Sequence, residues 1–146
     1  MPAEGKTKID RPVVVFRGLG IPTYFVFDAD RRHKGKANEA EVVAANTQLL
    51  RLAGSAEVDF PDTAAQADWA VFADDVEAEL RQACGDAYYE EVRAAIAKEL
   101  GYTEPSKVLK NPEASARLVR KTYADGKKIP ILEKIVESVT ALQTEL

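Results

Sequence analysis

The chain has 146 residues, 46% apolar and 30% charged, which is enough to bury a core without cross-links. Its single cysteine, Cys84, excludes an internal disulfide framework and a cysteine-rich zinc site. The net charge of −4, from 20 basic and 24 acidic residues, argues against a protein that coats nucleic acid by bulk charge.

The first ten residues are polar, and Gly5 marks a turn. Asp10-Arg11-Pro12 reads as a helix start, with a capping aspartate and a proline in the first turn. Val13 to Phe16 favours a strand by propensity, but Gly18 and Gly20 stop the segment and a stronger strand follows, so a short helix is expected. That strand is Thr23-Tyr24-Phe25-Val26-Phe27. Its nearly continuous hydrophobicity predicts burial on both faces, inside a sheet. It stops at Asp28. A loop with the basic run Arg31-Arg32-His33-Lys34-Gly35-Lys36 leads to a helix from about Ala37 to Ala53. Asp68 to Phe72 reads as a second strand.

Helices are expected from there on. One spans Asp75 to Cys84. The next runs from Asp86 to Leu100, with Tyr88, Val92, Ile96 and Leu100 along one face. Asn111-Pro112 opens another, to about Tyr123. After Gly126 and Pro130, the last helix aligns Leu132, Ile135, Val139 and Leu142. The expected fold is therefore α/β: a small, mostly parallel sheet flanked by helices within residues 1–84, and a helical region, 85–146, packed on it. No apolar run reaches the roughly 20 residues of a membrane span and no signal-peptide pattern is visible, so a soluble, cytoplasmic protein is expected.

Asp28 and Asp30 are the residues best placed for chemistry. They follow a strand, and open α/β sheets place ligands at strand C-termini. Alternate residues of an extended segment face the same side, so both carboxylates can reach one cation. Paired hard oxygens suit magnesium or manganese. The plainer alternative is a solvated turn. His33 reads as a loop residue, and Trp69, Tyr88 and Tyr89 as packing residues. Asp75 and Glu77, in a helix's first turn, can serve simply by opposing the helix dipole.

The block Leu19-Gly20-Ile21-Pro22 to Asp28-Ala29-Asp30 resembles the Toprim domain of the OLD-family ATP-dependent endonucleases. Gly5-Lys6-Thr7 followed by a helix, Asn46 near Leu49-Leu50, Asp75-Val76-Glu77 before Leu80, and Lys110-Asn111-Pro112 match the order of that family's later motifs. The resemblance implies metal-dependent hydrolysis of phosphodiester bonds in DNA, with Mg²⁺ or Mn²⁺ on Asp28 and Asp30. Glu77, with Asp75 as the other choice, would complete the site. Lys110 would stabilise charge at the phosphate, and Lys6, Arg31, Arg32, Lys34 and Lys36 would contact the backbone.

The family's first strand, with its Glu-Gly pair, would lie upstream. The ATPase half is absent too, since Gly5-Lys6-Thr7 lacks the glycine of a phosphate-binding loop and so offers no ATP site. The chain thus reads as a C-terminal piece that would need an ATPase domain or subunit, weak or inactive as a nuclease alone. Two other readings stand beside it. One is a non-catalytic interaction module or inactive remnant. The other is a haloacid-dehalogenase-like phosphatase with Asp28 as nucleophile and Asp30 as general acid, although that family wants Thr or Val where Arg32 stands.

Overall fold

The computed structural model describes residues 5–104 and 110–144. The fold is α/β and mostly helical, with six α-helices and a three-stranded mixed sheet among the described residues. Two compact units result. One runs up to Val76 and includes the segment from Ile131 onward; the other is Glu77–Pro130. The division thus falls near the start of a helix expected to end at Cys84, and the last helix is grouped with the first unit.

The first unit begins with a 3₁₀ turn, Lys6–Lys8, and helix α1, Asp10–Gly18. Three consecutive valines do not make α1 a strand. Val13 is buried, while Val14 and Val15 are each 56% exposed, a pattern that fits one face of a helix and not strand alternation. Asp10 lies inside the helix and Ile9 takes the cap position. The Asp10 carboxylate instead accepts a hydrogen bond from Gln48 Nε2 at 2.7 Å.

Strand β1, Phe25–Asp28, is shorter than expected and alternates in burial. Phe25 and Phe27 are 5% and 3% exposed, whereas Val26 is 36% exposed. The strand order is β1-β3-β2, with β2 at Ala64–Ala65 and β3 at Trp69–Phe72, so β1 is an edge strand among the described residues. The expectation of an inner strand buried on both faces is corrected. A run of apolar residues does not distinguish an edge from a centre when one face alone carries the large aromatics. The centre is β3, all four residues of which are buried. β1 and β3 are parallel, β2 and β3 antiparallel, and the sheet is therefore mixed.

Helix α2, Glu39–Leu52, supplies Leu49 and Leu50 to the core. They join Val13, Phe25, Phe27, Trp69 and Val71 in one buried cluster. Phe27 stacks between Phe25 and Trp69, with ring centres 6.2 and 6.4 Å away. This cluster fixes the end of β1 from which Asp28 emerges.

The second unit contains most of α3, Val76–Cys84, together with α4, Asp86–Glu99, and α5, Pro112–Ala124; α6 spans Pro130–Thr144. The buried face of α4 is Tyr89, Val92, Ile96 and Ala97; of the predicted stripe Val92 and Ile96 lie in it, while Tyr88 and Leu100 are only half-buried. Asn111 caps α5 as its Oδ1 accepts from the Glu113 amide at 2.9 Å, with Pro112 in the first turn.

Candidate functional site

Parallel pairing sets β1 and β3 side by side, with Asp28 opposite Phe72. Backbone bonding continues past the strands. Ala29 N–H donates to Phe72 O at 2.8 Å, Asp30 N–H to Asp74 O at 3.2 Å, and Arg31 N–H to Ala73 O at 3.1 Å. The loop after β1 and the loop after β3 are thereby sewn together, and Asp28, Asp30, Asp74 and Asp75 meet at one end of the sheet.

Asp30 is the one described non-glycine residue with positive φ, at 55° with ψ 42°. Aspartate tolerates this left-handed region better than most residues, though at some cost. Two cations hold it there. Lys6 Nζ lies 3.0 Å from Asp30 Oδ2, and Arg32 Nη2 lies 2.9 Å from Asp30 Oδ1. Lys6 also donates to the Asp28 carbonyl at 2.9 Å and to Asn46 Oδ1 at 3.0 Å, which uses all three of its N–H bonds. Asn46, fully buried, turns its amide to Ala29 O at 3.0 Å and Asp59 O at 2.8 Å. Lys6 and Asn46 are thus the frame of the acidic end.

Asp28 differs from its neighbours. Among the described residues its carboxylate takes part in no hydrogen bond, and burial raises its pKa from 3.8 to about 6. Asp30 and Asp75 push the same way, while Arg32 and Lys6 pull back. A cleft of about 290 Å³ opens here, with Lys6, Val26, Asp28 and Asp30 in its lining. A larger apolar groove, about 580 Å³, lies between α1 and β1 along Pro12, Phe16, Ile21 and Tyr24, and offers few polar groups for chemistry.

The remaining predicted residues are distributed as follows. Arg32 binds Asp75 Oδ2, Asp30 and, at 3.5 Å, Asp74 Oδ1. Burial works against its charge, but Asp75, Asp30 and Asp74 outweigh burial and move its pKa up. Arg31 turns to Asp62 Oδ1 at 2.6 Å and to the Phe60 and Pro61 carbonyls. His33 Nδ1 sits 2.9 Å from Asn38 Oδ1. Lys34 and Lys36 are exposed. Glu77, in the second unit, is paired with Arg81 at 3.0 Å and Arg93 at 3.5 Å. Lys110, also in that unit, is exposed and precedes the Asn111 cap.

Asp75 is therefore the predicted third acid that stands beside Asp28 and Asp30 in the same unit. The framing roles of Lys6 and Asn46 carry no local signal in the sequence beyond the place of Asn46 before Leu49-Leu50. As the side chains stand, no three histidine, cysteine or acidic side chains form a ready metal-binding group among the described residues. Arg32 instead bridges the carboxylates. The chain matches no known family model, no curated protein and no solved structure.

Proposed function

We propose that this chain carries the carboxylate end of a metal-dependent phosphodiesterase site acting on DNA, similar to the Toprim nuclease domain of OLD-family endonucleases. The observation that carries the reading is Asp28. It is a half-buried carboxylate at a strand's C-terminal end, without a hydrogen-bond partner among the described residues, crowded by Asp30 and Asp75 and raised to a pKa of about 6. Such a group is unfavourable in the metal-free protein, and a divalent cation relieves it. The donors are all hard oxygens, which fit Mg²⁺ or Mn²⁺.

Asp28, Asp30 and Asp75 would hold the ion. When bound, it would activate water and offset charge on a scissile phosphate. The protein's own contribution is to fix the ligands. Lys6 and Asn46 hold the end of β1 and one oxygen of Asp30. The exposed Lys34 and Lys36 are available to a DNA backbone. Glu77 is engaged by two arginines, which favours Asp75 as the third ligand. Lys110 and an ATPase partner rest on the resemblance alone.

The phosphatase reading needs Asp30 to give up a proton. Both its oxygens are already engaged, by Lys6 Nζ at 3.0 Å and Arg32 Nη2 at 2.9 Å, which works against that role. The test is cleavage of plasmid and single-stranded DNA with Mg²⁺, Mn²⁺ or Ca²⁺, alongside Mn²⁺ binding. Slow metal-dependent cutting, lost in Asp28→Asn and Asp30→Ala, is expected. Mn²⁺ binding without cutting would favour the non-catalytic module. Neither binding nor cutting would end the reading.

A further inference from the structure

We propose that the Arg32 guanidinium is a built-in counter-ion that occupies the acidic end in the metal-free protein and must swing out before a divalent cation can bind. Arg32 would then set the metal affinity of the site. The inference rests on the metal reading above.

One planar head ties together carboxylates from two loops. Nη2 meets Asp30 after β1, and Nη1 meets Asp75 and, at 3.5 Å, Asp74 after β3. These include oxygens that an ion bound with Asp28 would need. A guanidinium satisfies them by charge-assisted hydrogen bonds, and a small divalent ion would do so with twice the charge at shorter range.

Lys6 and Arg32 hold opposite oxygens of Asp30 but are built differently. The Lys6 side chain is 14% exposed and its N–H bonds are all committed inward. The Arg32 side chain is 44% exposed, so it reaches in from solvent and can leave without opening the core. The loop also has ties that do not involve the guanidinium. The Arg32 backbone N–H donates to Asp74 Oδ1 at 3.0 Å, and the Asp30 and Arg31 amides are held by the Asp74 and Ala73 carbonyls. The side chain can therefore be exchanged for an ion, with the carboxylates of Asp28, Asp30 and Asp75 closing on it from loops whose backbone is already tied together.

The test is Mn²⁺ affinity of the full chain, read from the electron paramagnetic resonance of free Mn²⁺ at low ionic strength. Wild type, Arg32→Gln, Arg32→Lys and Asp28→Asn are compared, each with a melting curve in chelator and in Mn²⁺. Arg32→Gln should bind about tenfold more tightly, by removal of one nearby positive charge partly screened by solvent. Its melting temperature should fall in chelator and recover with Mn²⁺. Arg32→Lys, which keeps the charge but cannot span the carboxylates, should bind about threefold more tightly and serves if the glutamine variant fails to fold. Wild-type binding that is unchanged or weakened in the folded Arg32 variants would overturn the inference and leave the metal reading standing. Absence of Mn²⁺ binding in wild type and both Arg32 variants would overturn both.

Discussion

Two charge networks in this chain are made from similar parts and differ in balance. At the end of β1 and β3, Lys6 and Arg32 face Asp28, Asp30, Asp74 and Asp75. In the second unit, Arg81 and Arg93 face Glu77 and Glu90, and the four close a ring of ion pairs. Arg81 reaches Glu77 at 3.0 Å and Glu90 at 2.5 Å; Arg93 reaches Glu90 at 2.6 Å and Glu77 at 3.5 Å. Both guanidiniums also lie over the Tyr89 ring, 4.4 and 5.6 Å from its centre. The second network, with Asp86 also 3.5 Å from Arg81, is nearer to balance and joins α3 to α4. The first has more acid than base and, among the described residues, leaves the Asp28 carboxylate without a hydrogen-bond partner. On the proposed reading, the larger surplus of acid at the first network is where a cation would be taken up, and the second network is structural.

The comparison can be broken at the frame, where the largest effect is expected. Asn46→Ala strands the buried Ala29 carbonyl, removes a donor from the Asp59 carbonyl and removes one acceptor of Lys6. A loss of about 3 kcal/mol in urea-unfolding free energy is expected, from unpaired buried polar groups plus a small cavity. Mn²⁺ binding should fall with it, because the end of β1 loses its anchor. A loss below about 1 kcal/mol would show that the acidic end does not depend on this frame.

The two networks predict opposite signs for neutralising one acid. Asp28 has a folded-state pKa of about 6, above its ordinary 3.8, so the folded protein binds the proton more tightly than the unfolded chain. Stability therefore falls as pH rises between those values, and the cost is fully present above pH 6. In chelator at pH 8, Asp28→Asn should stabilise the protein by about 1.5 kcal/mol after discounting for partial exposure, and the gain should vanish near pH 3.5. Glu77→Gln should instead destabilise by about 1 kcal/mol, since Arg81 and Arg93 lose a shared carboxylate. Urea titrations of both variants at two pH values read the signs directly. Equal signs would erase the distinction between the networks.

The sequence shows the first network only in outline. Asp28 and Asp30 were visible as a pair at a strand end, and the helix over Asp10–Gly18 was legible despite its valines, because glycines bounded it. The partners were not legible. Arg32 meets Asp74 42 residues away only through the β1–β3 register, and Lys6 reaches Asn46 40 residues away. Local pattern carries no information on such pairings. The same limit explains the sheet. Ala64-Ala65 has no strand propensity and is held in β2 by pairing with β3, and nothing in Tyr24 to Phe27 announces an edge. In the second unit, strict four-residue spacing picks out Val92 and Ile96 but takes Tyr88 in place of Tyr89. The buried face of α4 alternates steps of three and four from Tyr89 through Val92 to Ile96.

The smallest expected effect concerns the centre of the second network. Tyr89 is 1% exposed, and its hydroxyl is sealed from solvent with no hydrogen-bond partner of acceptable geometry among the described residues. Burial first, and then the nearby Glu77, hold its ionisation well above the usual phenol range, so the group stays neutral. An unpaired buried hydroxyl contributes a desolvation cost and no compensating bond. The ring is what the two arginines cover, and phenylalanine keeps it. Tyr89→Phe should therefore change the unfolding free energy by less than about 0.5 kcal/mol, with a slight gain as the natural direction. Tyr89→Leu, which removes the aromatic face, should cost about 2 kcal/mol through lost packing and cation–π contact. A cost above about 1.5 kcal/mol for Tyr89→Phe would mean that the hydroxyl hydrogen-bonds Glu77. That carboxylate would then serve three partners, and the second network would be held together as much by Tyr89 as by its ion pairs.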